Sequence, residues 1–147
     1  MGSEYKLAMI GCGNRGRDHV PGFLADTRVK VVGLADPKLE NAEALNAQGA
    51  FGAEVFSNHA DMLEKVRPDV VVTCLWTHLH LPVFRDCVEA GAKAVLSEKP
   101  MAITWGECKA MADLAESGGT QLTFCHQRRF APGNMMARKL LSDGVFG

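Results

Sequence analysis

The sequence predicts a doubly wound α/β domain, in which helices cover both faces of a parallel sheet. Three observations carry this expectation. Short β-rich runs alternate with longer segments of helical spacing along almost all of the 147 residues. Two of the runs, Val70-Val-Val-Thr-Cys-Leu75 and Lys93-Ala-Val-Leu96, are nearly continuous in apolar residues, as in strands buried on both faces. A glycine-rich turn joins the first run to the first helical segment. The length and the 47% hydrophobic content suit one domain with a proper core, together with at most a stub of another.

Taken in order, the predicted strands are Tyr5–Ile10, Val29–Ala35, Glu54–Ser57, Asp69–Leu75, Ala92–Ser97 and Gln121–His126. The segment after the first strand contains Pro21, which removes a helix hydrogen bond at a cost of about 3 kcal/mol, so a short or kinked helix is expected there. Leu39, Ala42 and Leu45 mark the apolar side of a second helix, and Met111, Leu114 and Ala115 that of a later one. Arg67-Pro68-Asp69 reads as a turn into the fourth strand. Thr104 and Glu107 fit a capping box, and Gly118-Gly119 a helix stop. A last helix is expected over about Pro132 to Ser142, followed by Gly144-Val-Phe-Gly147, which reads as the cut-off start of a further strand.

Bulk charge narrows the partners. Sixteen basic and seventeen acidic residues leave a net charge of −1, which supplies no field to hold nucleic acid or an anionic membrane. The cysteines Cys12, Cys74, Cys87, Cys108 and Cys125 are odd in number and contain no C-x-x-C, arguing against a disulfide framework or a zinc site and for reduced thiols. No basic-then-apolar leader opens the chain, and no run approaches the ~18 apolar residues of a membrane helix, so a cytoplasmic setting is expected. Met1-Gly2 resembles an acylation signal, but Lys6 stands where that signal needs Ser or Thr.

The turn Gly11-Cys-Gly-Asn-Arg-Gly16 matches G-x-G-x-x-G, directly after a strand and at the opening of a helix, with Asp36 twenty residues beyond Gly16 at the end of the next strand. Gly11 permits the tight turn, Gly13 lets backbone approach a pyrophosphate, and Gly16 lets the helix pack closely, while the helix N-terminus attracts the anion. Arg15 and Arg17 oppose the helix dipole in its first turn, either because an anion lies nearby or because both point into water. Asp36 has two readings as well. With Pro37 at the first helical position it caps a helix starting at Lys38, or its carboxylate accepts from an adenosine ribose and favours NAD over NADP, an exclusion that Lys38 would soften.

These residues, with Leu34-Ala-Asp-Pro37, Arg67-Pro-Asp-Val-Val-Val-Thr-Cys-Leu-Trp-Thr-His-Leu-His80, Glu98-Lys-Pro-Met-Ala-Ile-Thr104, Gln127-Arg-Arg-Phe-Ala-Pro132 and the closing Gly144-x-x-Gly147, resemble the glucose–fructose oxidoreductase, inositol dehydrogenase and MocA family of nicotinamide-dependent oxidoreductases. The likeness implies a Rossmann domain over 1–126, and over 127–147 the start of a second α/β domain that is otherwise missing. It implies a reaction passing hydride between NAD(P) and a secondary alcohol of a sugar, polyol or similar small hydroxylated substrate, and the apolar face of Asn134-Met-Met-Ala-Arg-Lys-Leu-Leu141 suggests a surface covered by a second domain or another subunit, a homo-oligomer in the full-length form. It also implies that Lys99 faces the substrate and that Arg129 lies near the active site.

The residues themselves add the chemistry. Lys99 stands just past a strand's carboxyl end, where an ammonium can polarise a substrate oxygen, with Glu98 holding it and Pro100 stiffening the turn. Trp76 either walls the cofactor or packs, and His80 is either a nicotinamide-pocket residue or an exposed histidine at a helix start. A metal cluster of His78, His80 and His126 is rejected for want of carboxylate spacing. Lys99 is therefore the candidate catalytic residue. The candidate cofactor-binding residues are Gly11, Gly13, Asn14, Arg15, Gly16, Asp36, Trp76, Thr77, His80, Glu98, Lys99 and Arg129, and no metal is expected. Two alternatives remain: a non-catalytic dinucleotide-binding or regulatory module, and a methyltransferase, against which Gly16 and the lysine–proline corner stand.

Overall fold

A computed structural model describes residues 4–146, so Met1-Gly2 and Gly147 of the motifs above lie outside the described residues. The strands are β1 (Tyr5–Ile10), β2 (Val29–Ala35), β3 (Glu54–Phe56), β4 (Val70–Thr73), β5 (Ala94–Ser97) and β6 (Gln121–Phe124). The helices are α1 (Asn14–Ala25), α2 (Leu39–Gly49), α3 (His59–Val66), α4 (His80–Glu89), α5 (Trp105–Gly118) and α6 (Pro132–Ser142). Single 3-10 turns precede α4, at Thr77–Leu79, and α6, at Gln127–Phe130.

The six strands form one parallel sheet in the order β3-β2-β1-β4-β5-β6. The chain winds outward from β1 in one direction and then, from β4, in the other. That reversal leaves a crevice beyond the carboxyl ends of β1 and β4, the place where α/β sheets bind ligands.

Side chains alternate across the sheet, and helices cover both faces. Leu7 and Met9 of β1 join a cluster with Val20 of α1 and Ala42 and Leu45 of α2. Ala8 and Ile10 join the opposite cluster with Met62 of α3, Phe84 of α4 and Met111 of α5. Burial on both sides is why β4 and β5 are written almost without polar residues. Their buried hydroxyls satisfy one another, Thr73 Oγ1 donating to Ser97 Oγ at 2.9 Å.

Local signals act as expected at α5. Thr104 Oγ1 accepts from the Glu107 N–H, and Glu107 Oε2 accepts from the Thr104 N–H, a complete capping box. Gly119 at φ 65° ends the helix in the left-handed conformation that glycine adopts without strain.

Two local expectations are corrected. α1 runs twelve residues and continues four residues past Pro21, which sets aside the short-helix alternative. Pro21 is exposed, while buried Val20 and half-buried Phe23 anchor the turn against the core. Asp36 is not an N-cap, because α2 begins at Leu39, with Lys38 in the cap position and no side-chain cap. The Asp36 carboxylate instead closes the preceding turn, accepting from the Lys38 N–H at 2.9 Å and from Asn41 Nδ2 at 3.1 Å.

Candidate functional site

Each sheet-type hydrogen bond continues one residue past the strands. The Gly11 N–H donates to Ala35 O, Cys74 to Ile10, Glu98 to Thr73 and Cys125 to Ser97, at 2.8 to 3.0 Å. The loops that follow β1, β4, β5 and β6 therefore start side by side on one rim of the sheet. The glycine turn and the Lys99 corner share that rim.

The turn is shaped by its glycines. Gly11 has φ 91°, and a Cβ there would lie 2.3 Å from the Cys74 carbonyl oxygen, so the first and fourth strands' loops touch at this point. A Cβ at Gly16 would lie 2.6 Å from the Gly11 oxygen. At Gly13 a Cβ would meet no atom of the protein within 4 Å, which leaves this face of the turn open. Gly13 is the N-cap of α1 and offers no side-chain acceptor to its first turn. The free N–H groups and dipole of that turn thus have no competing acceptor in the cap, and this opening is what a pyrophosphate needs. Asn14 is exposed beside it.

Asp36 is 8% exposed, and besides the turn ahead of α2 its Oδ2 accepts from the Cys12 N–H at 2.8 Å. It ties the glycine turn to the end of β2. Three hydrogen bonds leave roughly one of a carboxylate's four lone-pair sites for a ligand hydroxyl.

The centre of the rim is Glu98, 4% exposed. Its Oε1 receives Arg15 Nη2 at 2.9 Å and lies 3.2 Å from His19 Nε2. Its Oε2 receives the backbone N–H of Lys99 at 3.4 Å. Burial alone pushes the Glu98 carboxyl up, and the donors Arg15 and His19 outweigh it, leaving it below the ordinary range. The expectation that Glu98 holds the Lys99 ammonium is thereby corrected: its carboxylate is taken by α1, and it reaches Lys99 only through the backbone. Arg15 binds Asp18 at 2.6 Å as well, so its expected alternative of pointing freely into water is also set aside. Arg17 is half-buried with an unpartnered Nε.

His19 and Cys125 were absent from the sequence-based set. The signal for His19 is its position one turn after Arg15, which puts both on one side of α1. Cys125 sits one residue past β6, with its sulfur 3.9 Å from His19 Nε2. His19, Glu98 and Cys125 form a group whose donor atoms approach within 4.8 Å of one another. The Arg15 guanidinium already rests on the carboxylate oxygen that a cation would need.

His80 is 2% exposed, which overturns the solvent-exposed reading. Its Nδ1 lies 3.1 Å from Met101 O and its Nε2 3.2 Å from Leu75 O. The ring thus braces the loop after β4 against the corner after β5, and a neutral imidazole donates to one of those carbonyls. The two ring nitrogens of His80 thus face backbone carbonyls from different loops. Trp76 is 79% exposed, so it is not the packing residue one reading made it, and Thr77 opens the 3-10 turn beside it.

A cleft of about 580 Å³ is lined by Arg15, Lys99, Cys125 and the four residues from His126 to Arg129. The predicted residues Arg15, Lys99 and Arg129 meet there, and Glu98 joins them through Arg15. Asp36 lies on the opposite side of β1, beside β2.

Residues 5–126 match the family model described as oxidoreductase family, NAD-binding Rossmann fold. The chain is 31% identical over 146 residues to D-glucoside 3-dehydrogenase of Escherichia coli (strain K12), covering 99% of this chain and 41% of that protein. It is 32% identical over 145 residues to inositol 2-dehydrogenase 2 of Saccharopolyspora erythraea, covering 96% and 42%. Among solved structures, the WlbA dehydrogenase of Bordetella pertussis, in complex with NADH and UDP-GlcNAcA, superposes with a TM-score of 0.89 at 29% identity over 98% of this chain and 43% of that one. The chain spans about two-fifths of the length of these relatives. The glycine turn, the parallel sheet and the family match over 5–126 agree, and the chain belongs to the Gfo/Idh/MocA oxidoreductase family with its NAD-binding Rossmann fold.

Proposed function

We propose that this chain is the NAD(P)-binding part of an oxidoreductase that passes hydride between the nicotinamide and a secondary alcohol of a sugar, polyol or similar compound. The observation that carries it is the ion pair of Arg15 with Glu98, which joins the helix of the glycine turn to the strand end bearing Lys99. NAD, when bound, supplies the hydride acceptor or donor. The chain's own residues do the rest. The turn at Gly13 and the first turn of α1 would hold the pyrophosphate, and Asp36 would accept from the ribose and disfavour a 2′-phosphate. Trp76, Thr77 and Arg129 would border the nicotinamide end, and His80 would act there through the Leu75 and Met101 carbonyls it faces. Lys99, exposed and outside every ion pair among the described residues, donates to the substrate oxygen and stabilises its developing negative charge.

The relatives' names support a sugar or polyol substrate, and the family match ending at residue 126 supports a boundary there, with 127–147 opening the next domain. Apolar residues left open on α6 and after it, among them Met135, Met136, Leu141 and Phe146, support a surface covered by that domain or by a second copy of the chain. Five free cysteines support a reducing, cytoplasmic setting, and no helix among the described residues is long and apolar enough to cross a membrane. Family membership removes the methyltransferase alternative.

Energy transfer to NADH tests the cofactor reading directly. Trp76 and Trp105 are 79% and 82% exposed and serve as donors. Saturable transfer at or below millimolar NADH is expected, and its absence with both NADH and NADPH overturns the proposal.

A further inference from the structure

We propose that the substrate taken into this cleft carries an anionic group, a carboxylate or a phosphate, in addition to the hydroxyl that is oxidised. The inference rests on the reading above and deepens it.

The cleft wall holds four permanent cations, Arg15, Lys99, Arg128 and Arg129, and its remaining residues, Cys125, His126 and Gln127, include no acid. Arg15 is compensated by Asp18 and Glu98. Among the described residues, Lys99, Arg128 and Arg129 have no acidic partner within 4.0 Å. Three uncompensated positive charges thus share one wall in a chain whose net charge is −1, so the excess is local rather than a property of the whole surface. Like charges held together repel, and an anion in the cleft relieves that repulsion.

The cofactor's pyrophosphate does not account for them. It belongs at the backbone of the glycine turn after β1, and of the cleft's cations only Arg15, already compensated, stands there, whereas Arg128 and Arg129 stand in the turn after β6, three strands further along the rim. Lys99, after β5, lies between the two. An anion beyond Lys99 as seen from the glycine turn is on the substrate side. Two arginines in succession also suit planar, bidentate recognition of a carboxylate or phosphate, which a neutral polyol does not demand.

The test titrates the chain by NMR at low salt, with and without NADH, using D-glucuronate, D-glucose 6-phosphate and D-glucose as probes. At least one charged probe is expected to bind about tenfold more tightly than glucose, weakening as salt rises. The tighter of the two identifies carboxylate or phosphate as the source. Arg128→Gln is expected to remove most of that preference, and Arg128→Lys to restore part of it, which separates lost charge from a disturbed turn. Equal affinity for all three probes overturns the inference, as does an undiminished preference in Arg128→Gln. NADH binding without anion preference defeats this inference and leaves the cofactor reading standing. Anion preference without NADH binding does the reverse.

Discussion

Arg15 Nη2 lies 2.9 Å from Glu98 Oε1, bridging the first turn of α1 and the carboxyl end of β5. The two residues are 83 positions apart, and the bond couples the placement of the glycine turn to that of the corner carrying Lys99. Glu98→Gln keeps the shape but removes the charge that collects Arg15 and His19. Because Arg15 is half exposed, solvent screens part of the pair, and a loss of about 1–2 kcal/mol in unfolding free energy is expected by denaturant titration.

The same carboxylate sets an acid limb. Its folded-state pKa is lowered from the ordinary 4.5, so its contribution is fully present above about pH 4.5 and is lost as pH falls through the depressed value. The stability of the parent chain is therefore expected to decline more steeply below pH 4.5 than that of Glu98→Gln. Parallel acid titrations of the two by circular dichroism check this. Coincident curves would show that the pairing adds nothing.

Three thiols set an alkaline limb. Burial pushes Cys12, Cys74 and Cys87 up to about 12, against 9.0 when free. The folded state keeps them protonated while the unfolded state ionises them, so their contribution is present below pH 9 and falls away as pH rises from 9 toward 12. Thiol labelling reads the same feature: at pH 8 Cys12 and Cys87, both fully buried, are expected to react only as fast as the protein opens, while partly exposed Cys108 reacts promptly.

Much of this was legible in the residues because it is local. β1, β2 and α6 start and stop where their apolar periodicity and flanking turns say, and Thr104 with Glu107 caps α5 as written. The glycine turn was legible because its spacing is a steric requirement, met by Gly11 against Cys74 and by Gly16 against the Gly11 carbonyl. What escaped depends on which elements become neighbours. His19 carries no sign of Glu98 until the fold brings its ring to Glu98, just past β5, and to Cys125, just past β6. The exposed and the pocket readings of His80 stand side by side in the sequence until two carbonyls from different loops close over its ring. Pro21 reads as shortening or kinking the helix because a local hydrogen-bond cost is visible in sequence, while the packing of Val20 that offsets it is not.

Lys99 separates binding from chemistry. Its ammonium lines the cleft, while its backbone N–H, which Lys99→Ala retains, is what meets Glu98. In a form of the protein active on a secondary alcohol, this substitution is expected to lower kcat at least a hundredfold, the usual effect of losing a positioned proton donor. The NADH dissociation constant should change far less. Unchanged turnover would remove Lys99 from the chemistry.

Gly11 and Gly13 are two residues apart and are expected to fail in opposite ways. Alanine at Gly11 must hold φ 91° and place its Cβ 2.3 Å from the Cys74 oxygen, a backbone atom that cannot swing aside. The loops after β1 and β4 must part, at a cost of about 3 kcal/mol or more, seen as a lowered unfolding midpoint whether or not NADH is present. Gly13 has φ −71°, which any residue adopts, and an added Cβ meets no protein atom, so Gly13→Ala is expected to fold with stability within about 1 kcal/mol of the parent. The methyl group then occupies the opening that the pyrophosphate would enter, and NADH affinity should fall at least about tenfold. If Gly13→Ala bound NADH as well as the parent, the cofactor's phosphates would have to lie somewhere other than this turn.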